Sequence, residues 1–433
     1  MVDKGLILEE CLIETPHTAH PLGNSGRYTV FPHSEDEIIQ ILQHAKRQGM
    51  TVIPIGGGTK RGWGGVEETA DIMLSLANYT GIVDYSSGDM VVTARAGTKL
   101  AVLQEHAAKY GQKLPLDPAW PAYATMGGIV AAADSGPKRL RYGSARDHVI
   151  AMRVIYPEGT VMRTGAKVVK NVAGYDMNKL FIGSMGTLGV ISEVSCKLRP
   201  FPKAESLLLL SFSEEKWQEM KELLRLLLDS MLEPVALELL TPALTQRLGR
   251  EPSYMLALAF EDVPSAVHYQ ERWVCDRLSQ AGDVDILRDE AAQAWWEAFA
   301  CLSPHGAEDV GSEVRIAVKI ASKNTVIPEM IKACHIMGQQ MNVRLEAHGG
   351  LGHGLSQVYL EGREEDMLAC VLEIRRLTHK MGGHAIVRHA PLSFRRRLDV
   401  WGDAPAYMPL LEGIKRTIDP DRMINPGRFI GGI

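Results

Sequence analysis

Residues 54–65 read PIGGGTKRGWGG, which places six glycines in twelve positions at the end of the apolar run TVIPI (51–55). Consecutive glycines allow successive backbone N–H groups to point into one concavity and bind an anion, because no Cβ blocks the approach. Thr59 adds a hydroxyl donor, and Lys60 and Arg61 add positive charge. Glycine content alone, however, favours a flexible connection.

The sequence motifs of the common nucleotide and hydrolase sites are absent from the chain. No G-x-G-x-x-G, no G-x-x-x-x-G-K-[ST], no H-E-x-x-H and no G-x-S-x-G occurs. These absences disfavour a Rossmann dinucleotide site, a P-loop, a zinc protease and a serine hydrolase of the nucleophile-elbow type. A site for NAD or ATP is therefore poorly supported.

The composition is that of a soluble globular protein. The 433 residues are 45% hydrophobic and 23% charged with a net charge of −5, so we expect two or more domains and neither nucleic acid nor an anionic membrane as the main partner. The six cysteines are scattered without a C-x-x-C pair, which indicates a reducing compartment and no iron–sulfur cluster held within the chain. No signal-peptide pattern and no stretch of about 18 uncharged apolar residues occurs. We expect a cytoplasmic protein, and membrane docking through partners stays open.

The character of the sequence changes near residue 200. Before this point glycine-rich turns separate short segments, among them a helix that the capping pattern of Ser34 and Glu37 begins and Gly49 ends. Beyond it glycines become rare and leucine-rich helical segments appear, until glycine and proline return near the C-terminus. We expect three regions, namely a first domain (1–200), a second domain that forms a substrate pocket or a partner surface (201–380) and a C-terminal segment that returns to the first domain (381–433).

Two further glycine motifs follow the first in order. They are ATMGGIVAAADSGPKRLRYGSARDHVI (124–150) and KNVAGYDMNKLFIGSMGTLGVISEV (170–194). Together with residues 56–60 they resemble the FAD-binding domain of the PCMH-type flavoproteins of the vanillyl-alcohol oxidase superfamily. Within that superfamily GIVDYSSGDMVVTARAGTKL (81–100) and IDPDRMINPGRF (418–429) are most similar to the FAD-binding E subunit of glycolate oxidases. The resemblance implies an α+β fold, with two α+β subdomains that bind FAD and a second α+β domain built on an antiparallel sheet.

The resemblance also implies how the cofactor is held. The FAD would be non-covalent, because the glycine stretch lacks the histidine to which some relatives bond it. The implied FAD-binding residues are Pro54, Ile55, Gly56, Gly57, Gly58, Thr59 and Lys60 around the pyrophosphate, Thr125, Met126, Gly127 and Gly128 at a helix start, Ser135 and Gly136 against the cofactor, Arg146, Asp147, Gly174, Tyr175, Asp176, Gly189, Val190 and Ile191 along its adenosine end and isoalloxazine flank, and Asn425 and Arg428 from the C-terminus.

A flavin that oxidises a 2-hydroxy acid needs a base for the hydroxyl proton and a cation for the carboxylate. Arginine suits the carboxylate because its planar guanidinium binds it bidentately. The stretches EAHGGLGHG (346–354) and GGHAIVRHA (382–390) supply the candidates, and we predict His384, Arg388 and His348 as catalytic residues. For each histidine, a structural hydrogen bond is the alternative interpretation.

No metal site is predicted. His348 and His353 resemble only imperfectly a motif of the catalytic D-2-hydroxyacid dehydrogenases, in which two histidines bracket G-D-G-N and bind a metal. Here the aspartate and asparagine are missing and the histidines lie closer together. Arg315 and Lys319 alternate with apolar residues in EVRIAVKI. Both could project into a cleft, but a solvated strand face is the favoured interpretation.

The resemblance leaves alternative functions open. The first is an FAD-dependent oxidation of glycolate or a related D-2-hydroxy acid such as D-lactate, with electrons passed to partner subunits. The second is a non-catalytic FAD relay or assembly subunit, with the acid oxidised by a second FAD subunit and the electrons carried onward by an iron–sulfur subunit. An NADPH-using reductase on the same fold is less well supported, because nothing in the sequence indicates a nicotinamide site.

Overall fold

The computed structural model describes residues 13–14, 20–65, 69–166, 175–278, 283–306 and 315–433. The helices in these residues are α1 Glu35–Gln48, α2 Leu100–Ala108, α3 Met126–Ala132, α4 Arg139–Tyr142, α5 Ala145–His148, α6 Asn178–Phe181, α7 Trp217–Leu228, α8 Pro242–Arg247, α9 Pro264–Leu278, α10 Asp289–Ala300, α11 Ile327–Gln340, α12 Glu364–Lys380, α13 Leu392–Arg395 and α14 Met408–Ile418. Among the described residues, no helix combines the length and apolar character that a membrane crossing requires.

The strands form three larger sheets and one two-stranded ladder. The strands are β1 Ile13–Glu14, β2 Ser25–Val30, β3 Val52–Ile55, β4 Thr69–Ser75, β5 Ile82–Ser86, β6 Val91–Arg95, β7 Gln112–Lys113, β8 Val149–Ile155, β9 Val161–Gly165, β10 Val190–Lys197, β11 Arg199–Pro200, β12 Ala204–Phe212, β13 Ala236–Leu240, β14 Tyr254–Asp262, β15 Asp283–Arg288, β16 Arg315–Ala321, β17 Val343–Gly350, β18 Leu355–Gly362 and β19 His384–His389.

The glycine stretch follows the last strand of a four-stranded sheet. This sheet has the order β1-β2-β4-β3, in which β2, β4 and β3 are parallel. Helix α1 connects β2 to β3, and both of its predicted ends are confirmed. The Ser34 hydroxyl accepts a hydrogen bond from the Glu37 N–H at 3.2 Å, and Gly49 ends the helix in the left-handed conformation (φ +64°). Such caps satisfy backbone groups that the helix itself leaves unpaired, so the sequence fixes where β3 begins.

An antiparallel sheet with the order β5-β6-β10-β8-β9 completes the first half of the molecule. One hydrophobic cluster joins it to the four-stranded sheet, and this cluster also includes Met423 and Ile424 from near the C-terminus. The backbone of Val52 in β3 accepts a hydrogen bond from Asn425 and donates one to Met423, both at 2.8 Å. The C-terminal segment therefore lies beside the strand that precedes the glycine stretch.

The second half is an eight-stranded antiparallel sheet with the order β15-β12-β14-β13-β17-β18-β16-β19. Helices α7, α9, α11 and α12 pack on one face around a large apolar cluster. The other face carries a smaller cluster with α8 and α10. The predicted α+β class is confirmed. The limits at residues 200 and 380 stay predictions, and β19 shows that residues 384–389 belong to the eight-stranded sheet.

A buried group of charges joins the two halves. Glu261 of β14, whose side chain is fully buried, accepts hydrogen bonds from Lys113 of β7, from Tyr142 of α4 and, at 2.6 Å, from Lys138. Lys138 also pairs with Glu205 of β12 at 2.8 Å. Burial by itself would raise the pKa of Glu261, but the charges of Lys138 and Lys113 outweigh it and lower that pKa to about 2. Burial removes the hydration of each ion in this group, so its charge is stabilised only by its partners in the group.

We predict that Glu261→Gln lowers the free energy of unfolding at pH 7 by about 3 kcal/mol, because Lys113 then loses its buried carboxylate and Lys138 keeps only Glu205. The folded-state pKa of Glu261 lies below its usual value, so its contribution is present above about pH 4.5 and is lost as the pH falls towards 2. Urea unfolding at several pH values measures this, and the difference between wild type and variant should shrink on acidification. Glu365→Gln, on the exposed pair with Arg397, is the matched control. An unchanged midpoint for Glu261→Gln at pH 7 contradicts the role of the network.

Candidate cofactor and substrate site

The glycine stretch forms one wall of a cavity of about 610 Å³, counting the solvent at its mouth. Five separate parts of the chain meet there: residues 53–61, helix α3 with the residue before it, the loop before β2, the loop after α6 and the C-terminal segment. The lining residues are Asn24, Ile53, Pro54, Ile55, Gly56, Gly57, Gly58, Thr59, Lys60, Arg61, Thr125, Gly128, Ala131, Ala132, Met185, Asn425 and Arg428. We call this space the glycine cavity.

Side chains are excluded from the glycine stretch by its close packing. A Cβ on Gly56 would lie 2.1 Å from the Thr125 hydroxyl oxygen, and a Cβ on Gly57 would lie 1.9 Å from the carbonyl oxygen of Tyr123. In the described part of the chain, the backbone N–H groups of Gly57, Gly58 and Thr59 donate no hydrogen bond to another residue. Unpaired N–H groups along a concave glycine backbone are suited to an anion such as a pyrophosphate.

The lining residues of the glycine cavity also include buried polar atoms that lack a partner. Nε of Arg61, Nε of Arg428 and the side-chain oxygens of Asn24 and Asn425 form no hydrogen bond within the described residues. Burial lowers the pKa of Arg428 to about 9, with repulsion from Arg395 and Arg61 adding to the effect. Buried polar atoms are nearly always hydrogen-bonded in native proteins, so the two Nε donors are suited to an acceptor such as a phosphate oxygen, and the two amide oxygens are suited to a donor.

A second cavity, of about 650 Å³ with the solvent at its mouth, lies where the first half of the molecule faces the eight-stranded sheet. We call it the interdomain cavity. Its polar lining residues come from both halves, and Trp296 and Phe299 of α10 add aromatic surface. The polar lining residues are Asp117, Asp134, Ser135, Arg139, Glu238, Ser303, His348, His353, Gln357, Tyr359 and Arg388.

Asp134 connects the two cavities. Its carboxylate, 2% exposed, accepts from Lys60 of the glycine stretch at 2.9 Å and from Arg388 of β19. Burial opposes ionisation of Asp134, but Lys60 and Arg388 outweigh it and lower its pKa. The Arg388 guanidinium also stacks on Trp63 at 3.9 Å. A ligand that fills the glycine cavity therefore ends beside the wall of the interdomain cavity.

The position of Arg388 results from an irregularity in the sheet. Ala317 of β16 pairs with His389 and the next residue, Val318, pairs with Val387, so Arg388 is the extra residue of a β-bulge. A bulge redirects the side chain of the extra residue and interrupts the regular alternation of a strand. This explains why Arg388 reaches Asp134 from the edge strand.

His348 is the centre of a buried hydrogen-bonded group in the interdomain cavity. Its Nδ1 lies 2.8 Å from Glu238 Oε2, and its Nε2 lies 3.2 Å from the Tyr359 hydroxyl. His353 Nε2 lies 3.3 Å from the other oxygen of Glu238. Burial raises the pKa of Glu238, but hydrogen bonds with both histidines outweigh it and the net shift is downward. Glu238 thus orients the His348 ring with Nδ1–H towards the carboxylate and Nε2 towards the cavity.

The described residues contain no cluster of three or more histidine, cysteine, aspartate or glutamate side chains arranged for a metal ion. Arg315 is exposed and pairs with Glu361, as expected of a solvated strand face. Lys319 on the same strand is not solvated. It is partly buried, and burial followed by repulsion from Arg388 and Arg139 lowers its pKa to about 8. The solvated-face interpretation is therefore wrong for Lys319, because this face of β16 packs against the first half of the molecule.

The predicted site residues separate into three groups. Those in the glycine cavity are Pro54, Ile55, Gly56, Gly57, Gly58, Thr59, Lys60, Thr125, Gly128, Asn425 and Arg428, and those in the interdomain cavity are Ser135, Gly136, His348 and Arg388. The remainder line neither cavity: Met126 and Gly127 are buried in α3, Val190 and Ile191 lie in β10 after Gly189, and Arg146, Asp147, Tyr175, Asp176 and His384 are exposed. Gly174 lies outside the described residues.

Some residues of the site carry no motif that the sequence could reveal. Asp134, Arg139, Glu238 and Tyr359 line the interdomain cavity although none was predicted to do so. Asp134 directly precedes the predicted Ser135, and this adjacency is the one available signal. Glu238 and Tyr359 lie in strands that read as ordinary sheet, so only their pairing with β17 brings them to His348.

Comparison with known proteins agrees with this geometry. Residues 27–165 match the family model described as an FAD binding domain. Over 99% of this chain and 93% of the other, the structure of p-cresol methylhydroxylase with substrate bound aligns with a TM-score of 0.73 at 15% identity. Residues 27–165 are thus similar to an FAD binding domain, and the chain shares the fold of p-cresol methylhydroxylase. The predicted resemblance, the α+β fold and the FAD cofactor are confirmed.

Two relatives of this flavoprotein differ in how much of the chain they match. A D-lactate dehydrogenase of Anaerostipes hadrus is 26% identical over 424 residues, which are 92% of this chain and 88% of the relative. The glycolate oxidase subunit GlcE of Escherichia coli (strain K12) is 44% identical over 134 residues, which are 30% of this chain and 38% of the relative. The similarity to GlcE is therefore higher but restricted to a shorter segment.

We predict that Gly57→Ala lowers the affinity for FAD by about 10- to 100-fold, because the backbone must move to accommodate the methyl group against Tyr123. Flavin absorbance per mole of protein after gel filtration measures the loss. Gly88→Ala is the matched control, since a Cβ there meets no atom within 4 Å. Full retention of FAD by Gly57→Ala, with the control unchanged, contradicts the role of the glycine stretch.

Proposed function

We propose that this flavoprotein oxidises a small D-2-hydroxy acid, such as D-lactate or glycolate, in the interdomain cavity while FAD occupies the glycine cavity. One observation carries the proposal: Asp134 holds Arg388 of the interdomain cavity next to Lys60 of the glycine cavity, and His348 lines the same cavity as Arg388. The similarity to a D-lactate dehydrogenase along 92% of the chain supports the same reaction class. When bound, FAD supplies the acceptor for the hydride that leaves the CH–OH carbon.

Arg388 is the proposed receptor for the substrate carboxylate. Its guanidinium lines the interdomain cavity and is held in place by Trp63 and Asp134. A guanidinium presents five N–H donors in a planar array, so it can bind a carboxylate while one edge stays on Asp134. This contact fixes which end of the acid faces the cofactor.

His348 is the proposed acceptor of the hydroxyl proton. Its Nδ1 is occupied by Glu238, which leaves Nε2 for the proton and stabilises the imidazolium that results. The Tyr359 hydroxyl at 3.2 Å occupies the position that a substrate hydroxyl would take or share. We assign this role to His348 and not to His384, because His384 is exposed and lines neither cavity.

Transfer of electrons to partner subunits is the finer part of the proposal. The GlcE relative is named as a subunit of a glycolate oxidase, which supports an assembly of more than one subunit. The partners that we propose are a second FAD subunit and an iron–sulfur subunit. Anaerobic mixing of the isolated, FAD-loaded chain with D-lactate or glycolate tests whether it acts alone. Bleaching of the flavin supports the proposal, and bleaching that requires the partner subunits supports the relay function instead.

We predict that His348→Gln slows flavin reduction by about 10²- to 10⁴-fold, the contribution typical of a general base, while FAD stays bound. Stopped-flow absorbance under anaerobic conditions gives the rate constant. His384→Gln is the matched control and should reduce the flavin at the wild-type rate, since His384 is exposed outside the cavity. The reverse pattern, with only His384→Gln impaired, contradicts the assignment.

A further inference from the structure

Two cationic side chains in or beside the interdomain cavity lack a carboxylate partner within the described residues. Lys60, Arg139, Lys319 and Arg388 lie in or beside it, whereas Asp134 is the only carboxylate that contacts any of these four within the described residues. The other carboxylates that line the cavity are held elsewhere, Glu238 by two histidines and Asp117 by the backbone N–H of Lys138. Because Asp134 pairs with Lys60 and Arg388, two of the four cations are left without a carboxylate contact.

Arg139 and Lys319 are the two cations without a carboxylate. Arg139 donates to the Ser135 hydroxyl at 2.8 Å and forms no ion pair among the described residues. The Lys319 side chain forms neither a hydrogen bond nor an ion pair in the same part of the chain. Burial of an ammonium without an acceptor is unfavourable, so its retention beside a cavity points to a ligand anion.

Strand pairing places Lys319 in line with the proposed proton acceptor. Lys319 of β16 lies opposite Gln357 of β18, and Gln357 lies opposite His348 of β17. Directly opposed residues project from the same face of a sheet, and neighbouring strands are about 4.8 Å apart. Lys319 and His348 therefore emerge from one face roughly 10 Å apart, which allows one small molecule to reach both side chains.

Building on the proposed function, we propose that the substrate is a 2-hydroxy acid with a second anionic group, and that Lys319 and Arg139 bind this second group while Arg388 binds the 2-carboxylate. A second carboxylate and a phosphate monoester share the required charge and acceptor oxygens. The subsite makes D-lactate and glycolate minimal substrates, because neither carries a second anion.

Substrate pairs that differ only in the distal charge test the subsite. D-2-hydroxyglutarate is compared with its 5-carboxamide, and D-3-phosphoglycerate with D-glycerate, by kcat/KM of the FAD-loaded full chain. We expect the dianion to exceed its neutral-ended counterpart by about 10- to 100-fold in at least one pair, the range of a charge-assisted contact. The pair with the larger ratio identifies carboxylate or phosphate, and ratios near one in both pairs overturn the subsite.

Lys319→Met tests the assignment to a residue. The ratio between dianion and neutral-ended substrate should fall by about tenfold in this variant, because one cationic contact to the distal group is lost. Arg315→Met on the same strand is the matched control and should keep the wild-type ratio, since Arg315 is exposed and pairs with Glu361. Equal losses on both members of a pair assign Lys319 to the flavin or the shared carboxylate and overturn the proposal.

A binding measurement separates this inference from the proposed function. Glutarate and butyrate lack the 2-hydroxyl group, and their dissociation constants for the FAD-loaded protein are measured by titration calorimetry. Tighter binding of glutarate that Lys319→Met abolishes supports the subsite even if no 2-hydroxy acid reduces the flavin. Reduction by D-lactate with equal binding of glutarate and butyrate supports the proposed function and overturns the subsite.

Discussion

The buried carboxylate of Asp134 is the contact on which the arrangement of both cavities depends. It joins the glycine stretch through Lys60, the edge strand of the eight-stranded sheet through Arg388, and the loop before α3 through the backbone N–H of Ala119. A carboxylate without water is stable only where such partners replace its solvation. The requirement is mutual, because Lys60 and Arg388 would otherwise be cations held in place by packing alone. Ionisation of one side chain therefore fixes the relative positions of three segments distant in sequence.

The C-terminal segment closes the glycine cavity by a similar device. Lys415, fully buried on α14, pairs with Asp419 at 2.7 Å and donates to the carbonyl oxygens of Thr187 and Ile424. These bonds hold residues 419–425 against β3, where Asn425 pairs with the backbone of Val52. Asn425 and Arg428 reach the cavity only because this segment is attached in that way. The glycine cavity is thus complete only when the C-terminal segment has packed against β3.

Much of the first half could be predicted because its signals are local. Ser34 and Gly49 mark the ends of α1, and the crowding at Gly56 and Gly57 is what a run of glycines indicates. The interdomain cavity gave fewer signals, since its residues meet through strand pairing across long separations. Arg388 could be predicted from the stretch GGHAIVRHA, but its position depends on a β-bulge that no local sequence pattern predicts. The sequence of β16 alternates charged and apolar residues, which is typical of a strand with one face in water. The same alternation arises when the charged residues face a second domain, so the sequence could not tell the two apart.

The distribution of buried charge separates structural from functional groups in this fold. Glu261, between the two halves, has two lysines and a tyrosine, and Glu238, in the interdomain cavity, has two histidines, so both carboxylates are satisfied by the protein itself. In and beside the same cavity, Arg139, Lys319 and Arg388 repel one another. This repulsion lowers the stability of the folded state. Groups that lower stability are retained where they serve function, so these cations are candidates for ligand binding. A ligand anion relieves the repulsion only when it is bound, and the free energy released then contributes to binding. The repulsion among these three cations therefore favours the binding of an anion in the interdomain cavity, beside the wall that Lys60 and Asp134 share with the glycine cavity.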